Sequence, residues 1–310
     1  MFATTAPPDL PKTGYKRHGM TLKAKLVGPW AKYVFILPGM IWVLLFTIFP
    51  LFDSLRVSFY NWQIGIPEQF IGFANYQSVF QDYQFWAALR ITVLLAVAVV
   101  ISTLVLGLGS ALLLNSKIRG IRFFRGICAL PLFTTAVALG YLGITIFNDP
   151  NGPVDNLLSA LHQDPIDWLA TPVAAFFGIV ILYTWQWTPL SLLVILAGLQ
   201  GMSEELYEAA RLDTNSQWVI FRTITFPLLK PVIATMTLLQ AIWAFKMLDI
   251  PYSLTAGGPG IETRTYSFYD YVVGLRNFQL GYAAALAYVL VIIMLVISTI
   301  FVRVVGDAYD

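Results

Sequence analysis

Six stretches of this chain, 33–52, 91–114, 123–147, 173–199, 228–248 and 282–305, each offer about 20 or more mostly apolar residues in a row. That is the length an α-helix needs to cross the roughly 30 Å hydrocarbon core of a bilayer. In such a solvent a spanning backbone must satisfy its own hydrogen bonds, and a helix does so segment by segment. The chain is therefore expected to be all-α, a polytopic membrane protein with about six transmembrane helices. With 58% hydrophobic and 12% charged residues among 310, it is too apolar for a soluble domain of its size.

Charge orients the bundle. The first 32 residues hold Lys12, Lys16, Arg17, Lys23, Lys25 and Lys32 against a single acid, Asp9, and the loop after the second span holds Lys117, Arg119, Arg122 and Arg125 with no acid. Positive segments stay cytoplasmic, so residues 1–32 read as a cytoplasmic tail and 33–310 as the transmembrane domain. The loop after the third span carries Asp149, Asp155, Asp164 and Asp167 without Lys or Arg, as expected outside. Six crossings then place both termini, and the polar segment at about 200–227, in the cytoplasm. The net charge of +2 is a matter of topology, and no nucleic-acid partner is expected. The basic start lacks the short apolar stretch and small-residue cleavage site of a signal peptide. One cysteine, Cys128, excludes an intrachain disulfide, and two histidines, His18 and His162, fall on opposite predicted sides, too few and too far apart for a metal cluster.

The polar segment has structure of its own. Gly201 ends a helix, Ser203 caps the next, and Glu204 and Glu205 suit the positive end of that helix's dipole. A short helix runs to about Asp213, with Leu206, Ala209, Ala210 and Asp213 at helical spacing. The two alanines form a narrow face on which another backbone can lie. Residues 213–216, Asp-Thr-Asn-Ser, read as a turn, and Trp218, Phe221 and Ile224 form a second apolar stripe running toward Pro227.

This arrangement resembles the Glu-Ala-Ala loop of binding-protein-dependent ABC importer permeases, with Glu208-Ala209-Ala210, Thr214 and Phe226-Pro227 in its places. Thr214 stands where that family usually has Gly, so a turn needing positive φ would be strained there, although the neighbouring Asn215 tolerates the left-handed conformation. Further resemblance lies in Phe70 to Tyr76, Leu89 to Thr92, Thr188-Pro189 and Leu196 to Gln200, and in Leu254 to Gly260, which is similar to the Leu-Thr-Gly-Gly-Gly-Pro loop of the carbohydrate branch. That branch contains permeases for maltose, trehalose, other oligosaccharides and glycerol-3-phosphate, and the likeness is to the first of its two permease types.

The resemblance implies a type I ABC importer permease fold in a bacterial or archaeal inner membrane. It implies a second permease subunit in a heterodimer, two ATPase subunits holding ATP and Mg, an external solute-binding protein and a carbohydrate-type solute. The Glu-Ala-Ala helix would couple ATPase closure to rocking of the spans, through Glu208, Ala209, Ala210, Asp213, Thr214 and Pro227. This chain contains no Gly-Lys pair, so no phosphate-binding loop, and is expected to hold no cofactor and catalyse nothing itself.

Candidates for the solute path come from two spans. Tyr183, Trp185, Gln186 and Trp187 put aromatic faces and an amide within about one helical turn, a mixture suited to a sugar's apolar faces and hydroxyls. Helix packing or an interfacial aromatic belt accounts for them equally. Lys246 in the fifth span faces protein or water, or snorkels from the outer end; Asp249 can pair with it, and Gln240 and Trp243 share its face. Two rival classes fit less well. An ion-coupled secondary transporter would show repeats with broken helices or intramembrane acids, and a membrane enzyme would need a catalytic constellation.

Overall fold

The computed structural model describes residues 31–116, 119–147 and 152–306; the tail at 1–30, Lys117 and Asp149 lie outside them. Among the described residues, five helices are long and apolar enough to span a bilayer: α1 (Tyr33–Val57), α3 (Tyr83–Leu114), α7 (Pro172–Gln200), α9 (Gln217–Phe245) and α11 (Leu280–Gly306). Between them lie the short helices α2 (Ala74–Gln81), α6 (Pro153–Ala160), α8 (Glu204–Asp213) and α10 (Tyr266–Tyr271), and a two-stranded antiparallel ribbon that pairs β1 (Tyr60–Asn61) with β2 (Gln69–Phe70). The described residues up to Asp53 form one compact unit and those from Ser54 onward another. In the first, the side chains from Tyr33 to Phe52 are exposed and almost all apolar, which lipid tolerates as readily as water tolerates charge.

One expected span is not a span of the expected kind. The stretch read as one transmembrane helix over 123–147 is two helices, α4 (Ile121–Phe133) and α5 (Ala136–Ile146), bent by 96° at their junction. Pro131 tightens the end of α4 into a 3-10 turn, and Thr134 and Thr135 then take extended backbone, with ψ of 133° and 137°. Hydropathy counts apolar residues and is blind to such a break. The α9 span differs in another way, starting at Gln217, well before residue 228, so that the second apolar stripe is continuous with it. Pro227 is accommodated by a wider, π-type turn over Phe221–Thr225, which ends two residues before it.

The second unit is built on α3 against α7. Leu95, Val99, Ile179 and Leu182 are buried between them together with Ala244, Ile250 and Leu254. Close approach is set by Gly107, where an added Cβ would sit 2.6 Å from the Ser191 Cβ. The Ser102 and Thr184 hydroxyls meet across the same pair at 2.7 Å. Two further clusters close the ends. One centres on Phe85, Tyr266 and Leu286, the other on Ile195, Leu196 and Leu229. The glycine-rich run after Leu254 is pinned by buried threonines: Thr263 donates to the Gly258 carbonyl at 2.7 Å and Thr265 to that of Met247 at 2.6 Å.

Candidate functional site

Two regions carry the residues singled out above. The first is α8 and the turn after it. Ser203 caps α8, its Oγ accepting from the Glu205 amide at 3.3 Å, and the first turn holds Glu204 and Glu205 as the dipole favours. Tyr207 anchors the inner face, with its hydroxyl 3.1 Å from Met202 Sδ and 3.1 Å from the Thr225 hydroxyl of α9. The two alanines part company: Ala210 is half-buried against the protein, whereas Ala209, Glu208 and Asp213 face outward. Leu212, not anticipated from sequence, is 89% exposed and is the most prominent apolar group there. Its signal was present, one turn of helix from Glu208 and Ala209, but hydrophobicity alone does not tell an exposed leucine from a packed one.

Thr214 sits at φ −152°, ψ 142°. That is extended backbone open to any residue, so the expected positive-φ strain is absent. Its hydroxyl accepts from the Ser216 amide at 3.2 Å, forming the turn with a side chain where glycine would use backbone freedom. Ser216 in turn caps α9 through the Val219 amide. Pro227 is exposed at the start of that helix's regular part.

The second region is a cavity of about 210 Å³ walled by α7, the end of α9 and the first residue of α5. It brings together Tyr183, Gln186, Trp187, Trp243, Lys246 and Asp249. Trp187 lies between two rings, 5.1 Å from Trp243 and 6.1 Å from Tyr183, with tilts near 30°. Lys246 follows the last residue of α9 rather than lying at a helix centre, and both it and Asp249 are exposed at the mouth. Among the described residues they form no ion pair, so the expected pairing is not made.

Two candidates fall elsewhere. Gln240 is fully buried and its amide donates to the Ser191 hydroxyl at 3.3 Å, which makes it part of the α7–α9 packing. Trp185 points away from Trp187 into a separate apolar groove beside Ser102 and Cys128. Gln186 has a partner that sequence did not reveal. Its Nε2 donates to the Thr134 carbonyl at 2.6 Å, the group freed where α4 breaks from α5, while its Oε1 is buried without a partner.

These geometries sit on a sequence with informative relatives. The sequence model of a family described as "binding-protein-dependent transport system inner membrane component" matches residues 103–307. The trehalose/maltose transport system permease protein MalF of Thermococcus litoralis is 35% identical, over 88% of this chain and 96% of its own length. The lactose transport system permease protein LacF of Rhizobium radiobacter is 34% identical over 86% and 91%. Among solved structures, a bacterial ABC transporter involved in import of the acidic polysaccharide alginate has the same fold, with a TM-score of 0.78 at 23% identity over 91% of this chain and 96% of that one.

Proposed function

We propose, for a chain that belongs to the family of binding-protein-dependent transport system inner membrane components, that it forms half of the translocation path for a sugar or sugar-like solute in an ATP-driven importer. The observation that carries the reading is the aromatic stack of Trp187 with Trp243 and Tyr183 beside Gln186, Lys246 and Asp249 in one cavity. Flat aromatic faces offer apolar contact to the C–H faces of a pyranose, while an amide, an ammonium and a carboxylate at the rim answer its hydroxyls. Support for the solute class comes also from the relatives, whose names specify trehalose/maltose and lactose.

In this reading the chain is a multi-pass, non-catalytic subunit. ATP and Mg reside on two ATPase subunits, a second permease completes the path, and an external binding protein delivers solute. The outward face of α8, with Glu208, Ala209 and Leu212, is the seat of the ATPase; Asp213, Thr214 and Pro227 shape the turn and helix start behind it. One solved relative is described in complex with a pentasaccharide-bound periplasmic protein.

The test is solute uptake by the reconstituted complex. Trp187→Ala and Trp243→Ala are each expected to reduce uptake about tenfold or more, given that a lost aromatic contact of roughly 1.5 kcal/mol corresponds to that factor. ATPase association should be unaffected. Wild-type uptake in both variants would remove the stack from the solute path.

A further inference from the structure

A cavity of about 1240 Å³ opens where the ends of α3, α4 and α7 meet α8 and α9, remote from the aromatic stack. Its walls differ chemically from one end to the other. Along α3 the lining is apolar, Val105, Leu108 and Leu112 repeating every three or four residues down a membrane-spanning helix. At the loop end are Arg125 and Arg211, with Gln217 beside them, against one acid, Glu204.

Arg125 is held in place. Its Nη2 donates to the Leu114 carbonyl at 2.8 Å, and with the Gln200 amide turned to present oxygen, that oxygen accepts from Nη1 and Nη2 at 3.2 and 2.9 Å. Its Nε is buried with no acceptor. Arg211 makes no ion pair with the described residues. A positioned guanidinium with an orphaned donor and a second one nearby call for an anion, and the guanidinium fork matches phosphate geometry. The apolar wall running into the spans calls for something different on the same molecule, namely hydrocarbon.

We propose that this cavity seats one anionic phospholipid, with its phosphate on Arg125 and Arg211 and an acyl chain along Val105, Leu108 and Leu112. A soluble anion would use only the first part of the site and an apolar peptide only the second. Basic pockets between spans at the membrane surface are the recurring form of such headgroup sites. The exposed Arg119 and Arg122 flank this end of α4 and add to the attraction for an anionic leaflet. The lipid would rest against Tyr207 and Arg211, the inner face of α8, and brace that helix from behind. This site does not depend on which solute is carried.

Native mass spectrometry of the intact complex, with its permease partner and ATPase subunits, tests the idea during titration with phosphatidylglycerol. One phosphatidylglycerol per copy of this chain should remain bound after delipidation. Arg211→Gln should weaken its retention at least tenfold, and Arg125→Lys, which keeps the charge but loses the fork, should weaken it less. Glycerol phosphate at the same concentration should not displace the lipid. Equal retention in wild type and Arg211→Gln would overturn the proposal, as would displacement by glycerol phosphate, which would leave a site for a free anion only. Retention seen solely after the ATPase subunits are stripped away would overturn it too, making the cavity a protein seat. Should Arg125→Lys fail to assemble, the exposed Arg211 decides alone.

Discussion

Asp270, on α10 outside the spans, has a carboxylate whose Oδ1 is buried without a hydrogen-bond partner. Burial pushes its pKa up from 3.8 to about 7. The folded protein therefore keeps a proton that the unfolded chain releases, and stability is lost as pH rises from about 4 to about 7, each pKa unit being worth about 1.4 kcal/mol. Asp270→Asn, which cannot ionise, should raise the thermal midpoint of the purified complex at pH 8 and have little effect at pH 4.5. A gain of equal size at both values would refute the burial argument. Thr214 supports a second expectation at this scale. Because its φ is extended and its hydroxyl bonds the Ser216 amide, Thr214→Gly should relieve no strain. It should cost about 0.5–1 kcal/mol in chemical denaturation, through a freer unfolded chain and one lost bond.

Helix α8 separates two alanines that look alike in the sequence. Ala209→Trp, on the outward face, should block ATPase association while leaving the chain's own thermal midpoint within about 2 °C, whereas Ala210→Trp, on the inner face, should lower that midpoint through overpacking. Pull-down of the ATPase and a melting curve for each variant decide it, and loss of association in neither would remove α8 from the docking surface. A tighter contact lies at α5, where a Cβ on Gly140 would come within 1.8 Å of Ser253 Oγ and 3.2 Å of the Leu254 backbone nitrogen. Gly140→Ala is expected to destabilise by about 1–3 kcal/mol, with partial rescue by Ser253→Ala. The limits of α8 were legible in the sequence because caps and dipole-matched charges are local signals. The α9 start and the junction at Thr134 were not, because a hydropathy window sums residues without regard to backbone direction. Among the cavity's residues, Trp187, Trp243 and Lys246 were singled out by type. Trp185 and Gln240 shared that type but not the face, and which face of a span meets a cavity is settled by its neighbours, Ser191 for Gln240 and Ser102 for Trp185.

Across the whole molecule, the loop charges predict that Trp218 lies in the cytoplasm and Gly258 outside. Single cysteines at these sites in a Cys128→Ser background should react with an impermeant thiol reagent only at position 258 in intact cells whose outer barrier is permeabilised. Labelling at 218 would overturn that placement, either by reversal of the whole bundle or by a turn back at the α4–α5 bend. The same reagent can be aimed at Asn115 and Gly306, which flank the stretch from α4 to α11, and there the 96° bend between α4 and α5 becomes decisive. At about 1.5 Å per residue, the 11 residues of α5 reach only about 17 Å, so neither apolar count nor helix length guarantees that the pair traverses the bilayer. If it does, the path between them has even parity and positions 115 and 306 share a compartment; if it turns back, parity is odd and they are separated. A local choice at two threonines, to bend in transit or to turn back, thus fixes a global, binary property of the chain's route.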